Sequence, residues 1–413
     1  MLSHFVYNIN ASGEFFRRCN IFMKNKNLVV VMIVMLVNTL SYGIIIPLLY
    51  PYAQRFGINA VGMSLLFATY SLAQFIATPI IGRLSDKYGR KPLLLLSLFG
   101  TSVSLALFAS ATSVFMLFFA RFLDGITGGN TSVAQAIIAD STKEKDRAKA
   151  FGLLGAAFGF GFTFGPAIGG VLSNYSLTAP FWFASIIALL GTVLGVIILK
   201  ETNKNRQDNI DMKGLFNFKG LKSAIIEPIT GPVLLVSFIT LIGVNAMIIG
   251  FQTNSVDVLK LSTTQIAMLF TVYGIMNIIM QGFGIRLILN KAKSHLSVLK
   301  ASILFSIFAI LLVAIPVGYW YFFLTMMVFG VVSSPQGPVI VGMISNRTRA
   351  EDQGGIMGIN QSYTSIAQIV GPLAAGVVVG LSPSYVFVMV AIFFAISLIP
   401  ASKIKPSNKK LDL

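Results

Sequence analysis

Arg121 and Asp124 are the residues of this chain best placed to do chemistry. They stand three positions apart in RFLDGITGGN, Arg121 to Asn130, inside an otherwise apolar stretch. On a helix, residues at i and i+3 share a face and their side chains meet. Burying either charge alone in a bilayer is costly, so the two are expected to pair. Burial disfavours a charged carboxylate, and a neighbouring guanidinium favours it. A change of surroundings that tips this balance would load or release a proton. A static ion pair that only fixes helix register would leave the same mark in the sequence, and the spacing alone leaves both readings open.

A second charged cluster is GRLSDKYGRKP, Gly82 to Pro92, set between two apolar runs. Asp86 supplies an acid, Arg90 and Lys91 supply cations, and Gly82 and Gly89 permit a tight backbone. A third acid, Asp140, precedes STKEKDR, in which Ser141 and Glu144 are spaced as a capping box. Little else could react. The single cysteine, Cys19, excludes an intrachain disulfide. His4 and His295 fall in the N-terminal tail and in a loop. Neither a metal-ligand cluster nor a buried nucleophile–base set is visible, so an enzyme is not expected.

The elements that must hold these residues are membrane helices. Of 413 residues, 55% are hydrophobic and 11% charged, and mean hydropathy is +0.81. Many runs of about 20 apolar residues produce such a composition, and a soluble globule does not. Hydropathy places twelve spans at 28–50, 60–81, 93–112, 113–139, 148–173, 179–200, 232–253, 264–288, 297–315, 318–344, 354–380 and 382–401. They are called helices 1 to 12 below. The net charge of +17 would suit nucleic acid, but its placement gives another reason. When loops are assigned alternately to two sides, 28 of the 31 cations fall on one side. Arg55 and Lys260 fall on the other, and Arg121 lies within the bilayer. This bias puts both termini in the cytoplasm, with no nucleic-acid partner.

The expected organisation is a cytoplasmic tail (1–27), a six-helix bundle (28–200), a cytoplasmic linker (201–231), a second six-helix bundle (232–401) and a tail (402–413). Residues 1–22 read either as tail or as sequence upstream of a start at Met23. The linker reads either as a charged tether or as carrying a surface helix over 212–226. The bundles repeat. A shift of 206 places Thr142 on Thr348, Asp146 on Asp352, Gly152 on Gly358, Gly165 on Gly371, Pro166 on Pro372 and Gly170 on Gly376. Two parallel six-helix repeats are a known transporter symmetry. The second bundle's counterpart of Gly82–Pro92, around 282–295, keeps cations but has no acid.

These motifs resemble those of the major facilitator superfamily. Gly82 to Lys91 matches its G-x-L-x-D-x-x-G-R-K loop between helices 2 and 3. GFTFGPAIGG, Gly161 to Gly170, is similar to the helix 5 signature of its drug:proton antiporters, with Gly161, Gly165, Pro166, Gly169 and Gly170 in register. Small residues let a neighbouring helix approach closely and proline bends a helix, so Gly155, Gly159 and these glycines read as a packing face at a pivot. Arg121, Gly125 and Gly129 match R-x-x-x-G-x-x-x-G of helix 4. From Arg121 to Thr202 the chain looks most like the tetracycline efflux branch. The branch's helix 1 and helix 3 acids are replaced by Asn38 and Ser104, and helix 9 has no acid. A metal-chelated drug is therefore a poor fit.

The resemblance implies an all-α membrane protein of twelve helices in two pseudo-symmetric bundles. It would sit in the inner membrane as a monomer and export a small amphipathic organic compound in exchange for protons. No cofactor is expected beyond the proton gradient. Arg121 and Asp124 would couple protons. Gly82, Asp86, Gly89, Arg90, Lys91 and Asp140 would gate the inner side. Asn38, Tyr42, Tyr70, Gln74, Asn245, Gln252, Tyr273, Asn277, Gln281, Gln336, Asn360, Gln361 and Tyr363 are the candidates to line a cavity, each with an interhelix hydrogen bond as its plainer role. A metabolite exporter, an importer of the same superfamily, and a transporter-fold sensor are the alternatives.

Overall fold

The computed structural model describes residues 26–142, 144–203, 218–292, 294–349 and 352–405, and all regular structure among them is helical. The N-terminal tail, positions 212–217 of the linker and Lys293 lie outside the described residues.

Among the described residues, eleven helical stretches are long and apolar enough to cross a bilayer. They are Asn27–Phe56, Ala60–Tyr88, Arg90–Ala109, Ala150–Ser173, Ala179–Ile198, Gly231–Val258, Thr263–Lys291, His295–Val313, Tyr319–Arg347, Gln353–Val379 and Pro383–Ser402. Helix 4, expected as one span over 113–139, is instead two segments, Val114–Thr127 and Asn130–Ser141. The interruption is Gly128–Gly129, where two residues without side chains have little preference for helix. Helix 10 breaks at the repeat-related place, between Tyr319–Ser333 and Gln336–Arg347. There Pro335 stands where the first bundle has Gly129, and it lacks the N–H that would continue the ladder. Two different residues thus produce one symmetric feature.

The stretch expected as a loop is mostly helix. Helix 2 runs on through Tyr88, helix 3 starts at Arg90, and only Gly89 separates them. Gly89 has φ +111°, a conformation that side chains resist. Gly82 carries no such demand. It lies within helix 2, and a Cβ there would touch only Ser132 Oγ, at 3.8 Å. Of the surface helix read over 212–226, the described part, Phe218–Ile226, is helical. It docks beneath helix 11, where Tyr363 Oη donates to the Leu221 carbonyl at 2.6 Å.

Each lobe is built on one close helix pair. In the first, helix 5 lies along helix 1, and a Cβ at Gly165 would stand 2.8 Å from Gly43 Cα and Ile44 N. In the second, helix 11 lies along helix 7, and a Cβ at Gly371 would stand 2.8 Å from the Ile242 carbonyl. The lobes meet through helices 5 and 8 and through helices 2 and 11. Gly170 faces Ala267, and Gly376 faces Ser64, where a Cβ would come within 3.0 Å.

These contacts lie at the end away from Gly89 and the linker. There the lobes are also joined by Ser173 to Thr263 at 2.9 Å and by Thr264 to Asn174 at 2.9 Å. At the cationic end they separate. Gly152, Gly155 and Gly159 of helix 5, Gly282 of helix 8 and Gly354, Gly355 and Gly358 of helix 11 all have open space where a Cβ would stand. The molecule is therefore closed at one end and open at the cationic end.

Candidate functional site

Between the lobes is a cavity of ≈ 450 Å³. Helix 1 contributes Asn38, Tyr42 and Ile45; helix 2 contributes Phe67, Tyr70, Gln74 and Thr78; helix 4 contributes Asp124, Asn130 and Gln135. Thr101 and Leu105 of helix 3, Phe158 and Phe162 of helix 5, Asn245 of helix 7 and Gln361 and Gln368 of helix 11 are also on the wall. Aromatic faces alternate with amides, which suits a ligand that is apolar in bulk with a few polar groups.

The ion pair stands on this wall. Arg121 Nη1 donates to Asp124 Oδ2 at 2.9 Å, and the residues are 3% and 7% exposed. The guanidinium also lies over the Tyr70 ring, 4.3 Å from its centroid. Desolvated cation–π contacts contribute about 2 kcal/mol, so the ring helps hold the charge once water is excluded. Tyr70 is 5.9 Å from Tyr42, which is 5.6 Å from Phe162. Arg121 Nε is buried without a hydrogen-bond partner. The pair is therefore buried but incompletely satisfied, and of the two Asp124 reaches the cavity surface.

The break in helix 4 positions the neighbouring polar group. Asn130 opens the second segment, and its Nδ2 donates to Asn38 Oδ1 at 2.7 Å. Gln74 Nε2 donates to the Gly128 carbonyl at 3.1 Å and to Tyr70 Oη at 3.0 Å. Two amides thus satisfy the backbone and side chains freed at the interruption, as buried polar groups require. Sequence reasoning did not single out Asn130; its signal was its place directly after Gly128–Gly129.

Of the other cavity candidates, several point elsewhere. Gln336 is 5% exposed and donates to Ser306 Oγ at 2.9 Å, inside the second lobe. Asn277 accepts from Ser334 Oγ at 2.6 Å, and Asn360 accepts from Ser237 Oγ at 2.9 Å. These are interhelix bonds within the second lobe, and neither amide is on the cavity wall. Gln281 is exposed in a π-turn of helix 8, Met280–Gly284. Tyr363 is committed to the linker helix, Tyr273 packs on Gly330, and Gln252 belongs to the closed end.

At the cationic end Arg90 joins both acids, with Nη1 2.6 Å from Asp86 Oδ1 and Nε 3.4 Å from Asp140 Oδ2. These contacts are within one lobe. A residue the sequence had placed in the linker completes them. Glu201 accepts from the backbone N–H of Arg90 at 2.9 Å and of Lys91 at 3.2 Å, capping helix 3 from far along the chain. Asn203 Nδ2 donates to the Asp86 carbonyl at 2.7 Å, covering the end of helix 2. Residues 201–203 are thus part of the first lobe.

Burial pushes the Glu201 carboxyl up, but backbone N–H groups of Asn203, Arg90, Lys91 and Thr202 together outweigh it and hold it below the ordinary range. A lowered folded value stabilises above the unfolded value of about 4.3 and is lost as pH falls through the folded value. Glu201→Gln is therefore expected to cost about 1 kcal/mol at neutral pH, as a lost helix cap does. The difference from the unsubstituted chain should shrink below about pH 4. Thermal unfolding of both chains across pH measures it.

The helix 5 signature serves mainly within its lobe. A Cβ at Gly161 would lie 2.7 Å from the Thr39 backbone, and one at Gly169 would lie 2.6 Å from the Ile44 carbonyl. Gly170 meets the other lobe, as does Thr163 within the same stretch, which lies against Gly274 of helix 8. Gly155 and Gly159, expected on the same packing face, border the opening instead. Pro166 is buried in a helix that continues unbroken from Glu144 to Ser173.

The model of the Major Facilitator Superfamily matches residues 31–299 and 233–412. The class B tetracycline resistance protein of Escherichia coli is 30% identical, over 86% of this chain and 88% of that protein. Multidrug resistance protein 2 of Bacillus subtilis is 28% identical, over 87% of this chain and 90% of its own length. Among solved structures, the human organic anion transporter MFSD10 (TETRAN) superposes with a TM-score of 0.68 at 23% identity, covering 91% of this chain and 99% of that one.

Proposed function

The chain belongs to the major facilitator superfamily, and from that premise we propose that it exports a small amphipathic organic compound in exchange for protons. One observation carries this reading: the buried Arg121–Asp124 pair stands on the wall of a cavity that opens at the cationic end. The cation bias places that end in the cytoplasm. The cargo then enters from inside, and Asp124 is the acid that it meets.

Asp124 is the carrier and Arg121 sets its readiness. A cargo that displaces the guanidinium, or water that reaches the carboxylate as the lobes rock, changes which protonation state is favoured. One acid implies low proton stoichiometry. Among described residues no group of His, Cys, Asp and Glu could hold a metal ion, and with Asn38 on its wall where the resembling branch has an acid, the cavity favours a cargo free of metal. The names of the relatives, tetracycline resistance and multidrug resistance proteins, fit a role in export.

Inverted membrane vesicles with an imposed pH gradient test this. Dyes and drugs of amphipathic character should accumulate in vesicles that contain the protein, and collapse of the gradient should release them. Uptake in the reverse sense, or accumulation indifferent to the gradient, would overturn the reading.

A further inference from the structure

The cavity wall is chemically divided between the lobes. Around Asp124 the polar groups of the first lobe are spent on one another: Asn130 on Asn38, Gln74 on Tyr70 and the Gly128 carbonyl, and Arg121 on Asp124. Helix 11 of the second lobe presents Gln361, Ser365, Gln368 and Pro372 to the same cavity. Their spacing, i, i+4, i+7 and i+11, makes one stripe along the helix. Ser365 Oγ donates to the Gln361 carbonyl at 3.1 Å, within the helix. The side chains of Gln361 and Gln368 have no hydrogen-bond partner among the described residues. At the rise of a helix, seven residues separate them by about 10 Å.

Gln361 is exposed and Gln368 half-buried, so water can satisfy both amides while the cavity is open. A cargo that fills the cavity displaces that water. It binds well only where it returns the lost hydrogen bonds, and an apolar edge laid on the amides leaves them unpaired at a cost. The facing wall makes the opposite demand, because Tyr42, Phe158 and Phe162 of the first lobe offer aromatic surface. Among the described residues, the second-lobe part of the wall carries no acid or base. Helix 11 therefore reads neutral polar groups and not charge.

We propose that Gln361 and Gln368 determine cargo specificity, and that they select a compound with hydroxyl or carbonyl groups near both ends of one edge about 10 Å long and an aromatic face opposite. With the cavity taken as the cargo site, on which this assignment rests, the two amides set what that site accepts. Two consequences of opposite sign follow. Replacing either amide by leucine takes a hydrogen bond from a cargo of this kind, and spares a desolvation penalty to one without hydrogen-bonding groups. A merely structural role for the glutamines would weaken both alike.

Equilibrium dialysis of the full chain in lipid nanodiscs, with empty nanodiscs as the blank, tests this with two probes. Quercetin is a flat aromatic with hydroxyl groups at both ends, and tetraphenylphosphonium is an aromatic cation with no hydrogen-bonding group. Gln361→Leu and Gln368→Leu should each weaken quercetin binding roughly fivefold, the size of one neutral hydrogen bond, and tighten tetraphenylphosphonium roughly twofold. Gln336→Leu alters an amide that is bonded to Ser306 off the wall, and it should not move the two probes in opposite directions. No binding of quercetin by the unsubstituted chain, unchanged quercetin binding in either helix 11 variant, or parallel losses of both probes would each overturn the assignment. Dialysis uses no gradient, so a failure of proton-driven export in vesicles leaves this measurement readable. A failure here leaves export of another class of cargo standing.

Discussion

Asp124→Asn is expected to abolish gradient-driven accumulation of the cargo while downhill exchange of the same compound continues. The asparagine keeps the shape of the side chain and the polarity of the cavity wall, so a cargo still finds its site. It cannot bind and release a proton, so the proton gradient no longer does work on the cargo. Accumulation in inverted vesicles should fall to the equilibrium level, and counterflow of labelled cargo measures the exchange that remains. The substitution also leaves the Arg121 charge buried without its counter-ion, and removing one partner of a buried pair costs about 3–5 kcal/mol. Low yield of the single variant would have that cause. Arg121→Gln combined with Asp124→Asn removes both charges and should recover the folded protein without recovering accumulation. Undiminished gradient-driven accumulation in Asp124→Asn would make the pair a structural strut.

The second large effect is steric. Gly165→Val should prevent stable folding, whereas Gly155→Val on the same helix should leave folding intact. The Cβ of a side chain at 165 would stand 2.8 Å from Gly43 Cα and from Ile44 N, which are backbone atoms of helix 1. A flexible side chain could move aside; a helix backbone cannot. Overpacking a core costs about 1–3 kcal/mol where neighbours can adjust, and the expected loss here exceeds that range. At position 155 nothing lies within 4 Å. Thermal unfolding of the two purified variants compares them, and equal stability would show that helix 1 is free to shift.

The sequence located Arg121 and Asp124 as a pair because helical spacing is local and the apolar surroundings are obvious. The ties of Arg90 to Asp86 and Asp140 could be anticipated only through the family resemblance, since Asp140 is remote in the chain. Glu201 was out of reach. It follows helix 6 in the polar run read as a linker, and nothing nearby shows that its carboxylate caps helix 3. The amides were legible as a class but not individually. Gln74 and Gln336 are both single amides on apolar helices, yet one faces the cavity and the other faces Ser306. Rotation of a helix about its own axis decides this, and apolar residues on every side of a membrane helix leave that rotation unwritten.

The sequence by itself determined the helical class, the two-lobed repeat and the end that carries the cations. Backbone groups in hydrocarbon must satisfy one another, so long apolar runs become helices whatever their neighbours do. Only the tertiary structure decided which glycines are contacts and which border an opening, and that the lobes are shut at one end and parted at the other. Those are properties of surfaces brought together from distant positions, with small energy differences between alternative arrangements, and no local pattern of residues encodes which arrangement is occupied.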